Sequence, residues 1–373
     1  MEYTEFGTTG VEVSKLGFGA MRLPMVESGG EEVVDYERAV EMMQYAFKQG
    51  VNYVDTAPHY CNGKSELAVG KALSGWRDEV YLSTKNPSEN ITGSAWRECL
   101  ENSLEKLQTD YIDFYHLWGI DWESYESDIS DEPLQEAFKA KEEGLINHLS
   151  FSFHDDAENL FKLIDTGHFE TMLVQYNLLD RSNEAGISYA QENDVGVAVM
   201  GPIGGGRLAS PSNELQEMMP ESDSTVETAL RFVMSNPDVD IVLSGMENKD
   251  MVEQNLKIAA NPNPLSEAEL EQVQKMLEEN KKLADLYCTG CEYCLPCPEE
   301  VNIPKIFEWM NYHRVYDLTE FAKTKFNELG TEAAFEDGFG PEKCIECGAC
   351  EEKCPQDIAI IDQLKETAAV LGE

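Results

Sequence analysis

The chain has no apolar run near the ~20 residues that a membrane-spanning helix needs, and its start, Met1-Glu2-Tyr3-Thr4-Glu5, lacks the basic-then-apolar layout of a secretory leader. A cytoplasmic protein is expected. Basic residues are scarce: 28 Lys and Arg face 71 Asp and Glu over 373 residues, a formal net charge of −43. Residues 286–373 hold 7 basic and 18 acidic side chains, so the acidity is general and not confined to a tail. Nucleic acid and anionic membrane carry the same sign and are excluded as partners, whereas a basic protein partner stays open. Cysteine is nearly absent from the first 287 residues, and eight of the ten fall between 288 and 354. Two such tight groups in a cytosolic chain point to metal and not to disulfides.

Hydrophobic residues make up 42% of the chain, enough for a large core. Strand-like apolar runs near 16–20, 52–55, 80–84, 111–115, 146–152, 171–176, 195–200 and 241–244 alternate with helical patterns near 35–49, 65–74, 94–107, 133–143, 155–165, 183–193, 223–235 and 249–258. Alternating βα units predict a parallel sheet, and eight of each close a (β/α)8 TIM barrel. Residues 5–24 read as a Gly-turned hairpin at the barrel floor, followed by the first of these strands near 16–20. An amphipathic stretch over Leu265–Leu286 predicts a helix leading into the cysteine segment. The expected division is therefore a barrel over 1–285 and a small domain over 286–373.

In such a barrel the chemistry sits where strands end at the C-terminal mouth. Val51-Asn52-Tyr53-Val54 runs out into Asp55-Thr56-Ala57-Pro58-His59-Tyr60, Val80–Thr84 stops at Lys85, and Tyr111–Tyr115 stops at His116. Singly, an Asp caps a turn, a Lys is a solvated charge and a His is structural. Four ionisable residues from three successive strands, with Ser65-Glu66 following the Tyr, are a different matter. This set of Asp55, Tyr60, Lys85 and His116 resembles the catalytic tetrad of the aldo-keto reductases. The resemblance implies an NAD(P)-dependent oxidoreductase that moves a hydride between nicotinamide and a small carbonyl or alcohol substrate. Tyr60 would then be the acid/base, Lys85 the cation favouring its ionised form, Asp55 the anchor of Lys85, and His116 the group orienting the substrate oxygen.

The same resemblance carries cofactor residues. Ser150-Phe151-Ser152-Phe153 lies where the family has Gly-x-Ser-Asn, and Val174-Gln175-Tyr176-Asn177 matches a strand whose Gln contacts the nicotinamide amide, so Ser152 and Gln175 carry over while Phe153 replaces the expected Asn. Met200-Gly201-Pro202-Ile203-Gly204-Gly205-Gly206-Arg207 resembles the pyrophosphate loop, giving Gly201, Ile203, Gly206 and Arg207. Ser244-Gly245 and Gln254-Asn255 resemble the adenine end, giving Gly245, Gln254 and Asn255. Relatives that prefer NADP place cations where this chain has Gly245 and Met251, and Glu247 and Asp250 lie nearby with only Lys249 to oppose them. NAD is slightly favoured over NADP.

Cys288-x2-Cys291-x2-Cys294-x2-Cys297-Pro298 and Cys344-x2-Cys347-x2-Cys350-x3-Cys354-Pro355 resemble the two halves of a bacterial dicluster ferredoxin. This implies two [4Fe–4S] clusters, one on Cys288, Cys291, Cys294 and Cys354, the other on Cys344, Cys347, Cys350 and Cys297. The first run departs from the pattern by placing two residues, not three, before its last Cys. Zinc is the alternative, though zinc sites favour separated Cys-x2-Cys pairs over threefold spacing. Hydride transfer needs no electron relay, so the clusters are expected either to staple the domain or to exchange electrons with an external protein or an unrecognised mediator. A catalytically inactive or regulatory barrel whose clusters sense redox state or bind a partner is the competing function. Cys61 and Cys99 read as small buried thiols.

Overall fold

The computed structural model describes residues 1–210, 212, 222–261, 263–285, 288, 292–331, 333–354 and 358–372. By internal contact the chain forms two compact units, Met1–Gly204 with Ala229–Pro264, and Gly205–Thr228 with Leu265–Glu373. This division differs from a cut at 285, because the stretch after Gly204 and the helix before the cysteines both group with the cysteine-bearing segment. No helix among the described residues is long and apolar enough to cross a membrane.

The first unit opens with an antiparallel hairpin, β1 (Tyr3–Glu5) and β2 (Glu12–Ser14). Eight parallel strands then close a barrel in the order β3 (Leu16–Gly19), β6 (Tyr53–Asp55), β7 (Tyr81–Pro87), β8 (Ile112–Ile120), β9 (Ile146–Phe153), β10 (Thr171–Gln175), β11 (Gly196–Met200) and β12 (Ile241–Gly245). Between β3 and β6, β4 (Met25–Ser28) and β5 (Glu31–Val34) form a second hairpin. Helices α1 (Tyr36–Lys48), α2 (Ser65–Ala72), α3 (Gly93–Leu107), α4 (Glu132–Glu142), α5 (Ala157–Asp165), α6 (Glu184–Glu192), α7 (Thr225–Met234) and α8 (Lys249–Ala260) follow the strands in turn.

Each helix forms for local reasons and is held by burial. In α1, Asp35 accepts from the Arg38 N–H at the cap, and Ala39, Met42, Met43, Ala46 and Phe47 recur at three- and four-residue intervals to make one buried face. Thr92 caps α3 in the same way through the Ala95 N–H. Parallel strands are covered on both faces, which is why β10 and β12 read as near-continuous apolar runs.

The floor of the barrel is closed by the first hairpin. Phe6 enters a buried cluster with Val13, Tyr53, Phe114, Leu173, Ala198, Ile241 and Leu243, its ring centroid 4.9 Å from Phe114. Gly7 turns the chain there at φ 55°, and a Cβ on it would meet the Gly196 nitrogen at 2.4 Å. Burying one such ring contributes roughly 1.5–3 kcal/mol. With its floor filled, the barrel has its other end left for chemistry.

Two strands run further than the sequence pattern indicated. β7 continues past Lys85 to Pro87 and β8 past His116 to Ile120, so both residues sit inside strands and not at their ends. The reason is pairing: Lys85 aligns with His116, Asn86 with Leu117 and Pro87 with Trp118, and β9 follows β8 to Phe153. Polar side chains at these positions end the apolar pattern without ending the ladder.

In the second unit, α9 (Glu267–Asp285) packs against α10 (Ile303–Tyr316), and α10 packs against α11 (Thr319–Glu328) and α12 (Ile360–Leu371). Asn302 caps α10, accepting from the Lys305 N–H, and Val301 bridges to Phe339. The unit is small and helical.

Candidate active site

The site is built on register. Gly19, Asp55 and Ser83 align across β3, β6 and β7, while Lys85, His116 and Ser150 align across β7, β8 and β9. Ser83 and Lys85 are two positions apart on one strand, so both point the same way and face the Asp55 carboxylate. Lys85 Nζ donates to Asp55 Oδ1 at 2.7 Å, to Asp55 Oδ2 at 2.6 Å and to the Thr56 carbonyl at 2.7 Å. Ser83 Oγ donates to the same Oδ1 at 2.7 Å. Lys85 is 0% and Asp55 4% exposed, so three donors meet three acceptors out of water. Burial pulls the Lys85 pKa down and the facing carboxylate pulls it up; the result lies above the ordinary lysine value, and Lys85 is a cation at neutral pH.

Tyr60 arrives on the loop after β6, half-buried, with the Lys85 Nζ 4.9 Å from its ring centroid. Burial raises the phenol pKa, the Lys85 charge pulls against that rise, and the phenol stays protonated around neutrality. The next three residues, Cys61, Asn62 and Gly63, all take positive φ, at 52°, 54° and 74°. Such backbone costs of order 1–3 kcal/mol at each non-glycine and persists only where the surroundings hold it. Here they do: Cys61 Sγ donates to the Met21 carbonyl at 3.3 Å, and Asn62 Nδ2 to the Glu32 carbonyl at 3.3 Å. Ser65 and Glu66 tie down the far side. Ser65 Oγ bonds the Thr56 hydroxyl and the Ala20 carbonyl, both at 2.7 Å, and the buried Glu66 accepts from Thr84 Oγ1 at 2.8 Å, next to Lys85.

His116 is fully buried, and neither ring nitrogen has a hydrogen-bond partner. Its Nε2 stands 3.8 Å from Asp55 Oδ1, beyond a hydrogen bond. Burial first and the Lys85 charge second hold its pKa well below the usual imidazole value, so the ring is neutral. A buried imidazole with its N–H unmet is poised for an oxygen supplied from outside the chain.

Of the nicotinamide candidates, Ser152 is buried on β9 with its Oγ unmet, and Gln175 ends β10 half-buried. A Cβ on Gly201, at φ 61°, would collide with the Gln175 carboxamide at 2.4 Å, so the glycine makes room for that side chain. Ile203 follows, and Gly206 (φ 99°) and Arg207 lie in the short 3-10 turn Gly204–Ala209. Arg207 is spoken for: its guanidinium donates to the Tyr312 hydroxyl, sits 5.2 Å from that ring and 3.8 Å from Glu308. At the adenine end, Asn255 is buried and spends its Nδ2 on Ser244 Oγ at 2.8 Å, Gln254 is exposed, and the stem of Arg22 lies 3.5 Å from where a Gly245 Cβ would be. Arg22 pairs with Glu247 at 3.6 Å, and Lys249 lies over the Tyr45 ring.

Three residues here went unread in the sequence. Trp118 meets the Tyr60 ring edge-on at 5.7 Å and His59 at 5.4 Å. Strand alternation places it on the face of His116, a signal lost when β8 is stopped at 116. His154, exposed just past β9, has its pKa lowered by partial loss of water and then by the Lys85 charge. Arg22, near the nucleotide candidates, had no motif to mark it.

In the second unit, Cys294, Cys297, Cys344, Cys347 and Cys350 line one cavity with Pro296, Val301 and Leu364. The thiols share this cavity without closing on a point, for among the described residues no three His, Cys, Asp or Glu stand in ion-binding geometry. Cys288, whose carbonyl accepts from Asn311 Nδ2 at 3.3 Å, and Cys354 are half-buried, and Cys291 lies outside the described residues. Soft thiolate donors around a common space fit an iron–sulfur cluster.

A closed eightfold barrel with a buried Lys–Asp pair beneath a tyrosine defines a class of oxidoreductase, and comparison with known proteins agrees. Residues 15–278 match the sequence model of the aldo/keto reductase family, and residues 287–359 that of a 4Fe-4S dicluster domain. The chain belongs to the aldo/keto reductase family. It is 26% identical over 315 residues to the uncharacterized oxidoreductase YqkF of Bacillus subtilis, covering 75% of this chain and 98% of that one. The solved aldo-keto reductase AKR11C1 of Bacillus halodurans, in its holo form, superposes with a TM-score of 0.64 at 30% identity, over 74% of this chain and 96% of that one. An aldo/keto reductase of Klebsiella pneumoniae solved with NADP and acetate gives a TM-score of 0.61 at 27% identity, over 74% and 95%.

Replacing Lys85 by Met strands a buried carboxylate, and urea unfolding should show a loss of about 3–5 kcal/mol. The double variant Asp55→Asn/Lys85→Met should lose less than the sum of the two single losses, because the stranded charge is gone. Additive losses would mean the pair is not coupled.

Proposed function

We propose that the barrel transfers a hydride between a nicotinamide nucleotide and a small carbonyl or alcohol substrate, with Tyr60 as general acid/base. The observation that carries this reading is the protonated Tyr60 set beside a saturated Lys85–Asp55 pair and an unmet, neutral His116. Ser152 and Gln175 would hold the nicotinamide amide, beside Gly201. When bound, that ring supplies or accepts the hydride.

The remaining work falls to the chain's own side chains. His116, neutral and already desolvated, donates an N–H to the substrate oxygen and turns it toward Tyr60. Tyr60 gives its proton to that oxygen as negative charge develops there. The phenolate left behind lies near the Lys85 ammonium, whose charge favours the ionised form, and Asp55 keeps the ammonium from following the proton. Trp118 walls the phenol on one side and keeps water from it.

Tyr60→Phe is therefore expected to lower reduction of a test aldehyde by about 10²–10⁴-fold while NADH binding changes by less than about twofold. Full activity in that variant would sink the reading. In the unmodified protein the reduction rate should stay level through neutral pH and fall as pH rises through the elevated phenol pKa, because only the protonated form donates.

NADH is proposed to bind at least as well as NADPH. Gly245 and Met251 offer no charge to a 2′-phosphate, Lys249 is drawn onto Tyr45, and Arg22 is balanced by Glu247. Dissociation constants measured by nucleotide fluorescence at low salt should be equal or favour NADH. A preference for NADPH of about tenfold or more would mean that a cation, with Arg22 and Arg207 the first to replace, reaches the phosphate.

The cysteine unit is proposed to hold two redox-active [4Fe–4S] clusters, on Cys288, Cys291, Cys294 and Cys354, and on Cys344, Cys347, Cys350 and Cys297. The cavity shared by the whole second set supports this. Anaerobically prepared protein should contain about eight iron and eight sulfide per chain and give an EPR signal on reduction. About four of each, or zinc in their place, would overturn the count.

A further inference from the structure

Along β8, Phe114, His116 and Trp118 alternate onto one face, the face that joins the core of the barrel floor at Phe114. Register with the neighbouring strands sets two rungs. Lys85, His116 and Ser150 make the lower one, and Pro87, Trp118 and Ser152 the next, about 6.6 Å nearer the mouth. Trp118 therefore stands over the buried, unmet His116 on the way in, level with the Ser152 proposed to hold nicotinamide.

The indole is held from several sides. Its ring meets Tyr60 edge-on at 5.7 Å and His59 at 5.4 Å. The loop carrying those two rings is itself tied, through Cys61 to the Met21 carbonyl and through Asn62 to the Glu32 carbonyl. On the chain side the ladder slips just past the indole. Trp118 pairs with Ser152 and Ile120 with Phe153, so Gly119 is an extra residue on β8, at a φ of 66° that glycine adopts without cost. Bulges are over-represented beside active sites, where they re-aim a side chain.

We propose that Trp118 makes the site selective for aldehydes over ketones and, in the reverse direction, for primary over secondary alcohols. This rests on the hydride-transfer reading of Tyr60 and His116 and names the substrate class within it. A carbonyl that accepts from His116 and takes its proton from Tyr60 points its oxygen inward, beside Lys85. Its carbon then lies level with the upper rung, and its two substituents diverge toward the mouth. One follows the opening. The other is turned against the indole, and a wall that cannot retreat leaves room there for a hydrogen and not for a carbon. A difference of one methyl group against such a wall changes kcat/KM by about 10–200-fold.

The test follows kcat/KM of the full chain with NADH for two matched pairs, butanal with butanone and benzaldehyde with acetophenone. Aldehydes are intrinsically more reactive, so the readout is the change in each ketone-to-aldehyde ratio on substitution. Trp118→Ala should raise that ratio by about tenfold or more, and Trp118→Phe by less. General damage to the site lowers both members of a pair alike and leaves the ratio where it was. If Trp118→Ala reduces neither member, Trp118→Leu and Trp118→Phe decide by the same ratio. Ratios that stay unchanged while aldehydes are still reduced overturn the role of Trp118 alone. A parent chain that binds NADH and reduces none of the four overturns the hydride-transfer reading, and this inference with it.

Discussion

Everything at the mouth depends on one buried ion pair. Lys85 has no water to turn to, and its three donors are met by two oxygens of Asp55 and the carbonyl of Thr56. That arrangement fixes the ammonium in place, keeps it charged, and makes it the field in which Tyr60, His116 and His154 titrate. A cation held this firmly lowers the pKa of a neighbouring imidazole and opposes the rise of a neighbouring phenol. Burial is the larger influence on both, and around this one ammonium it leaves the imidazole of His116 neutral and the phenol of Tyr60 protonated. Ser83 and the Thr84–Glu66 bond hold the pair from behind, so the helix following Tyr60 and the strand carrying Lys85 are one rigid piece.

The second unit answers to a different constraint. Its helices bury Ile306, Phe307, Trp309 and Leu364, while Tyr293, Phe335 and Ile345 stay exposed. Arg207 shows the unit reaching along the chain in another way: the residue lies just past the glycine turn after β11, and Tyr312 and Glu308 of α10 hold its guanidinium. A residue with the chemistry to grip a phosphate is thus engaged by partners 105 and 101 positions later.

How far the sequence could be read depended on the range of the interaction. The eight strands and their helices follow from short-range periodicity, and each was placed to within a few residues except where β7 and β8 continue. Those two extensions mattered. Trp118 stands on the same face as His116 and walls Tyr60, but the polar His116 interrupts the apolar run that marks a strand, while the ladder to β9 continues through it. Ser65 and Glu66 were noticed only as company for Tyr60; their role as buried ties to Ala20 and Thr84 is a matter of contacts between elements.

By itself the sequence determined the alternation that closes a barrel, the general acidity of the chain, the residue types gathered toward the mouth, and the threefold cysteine spacing. These are properties of composition and of neighbours a few positions apart, where the period of a strand or helix translates directly into a face. Only the tertiary structure decided that Lys85 is saturated and charged, that His116 is unmet and neutral, that Arg22 lies beside Gly245, and that Arg207 turns to Tyr312. Each of those depends on register and burial between segments tens of residues apart, and protonation in particular follows from the balance of lost water against a facing charge, which exists only once the chain has folded.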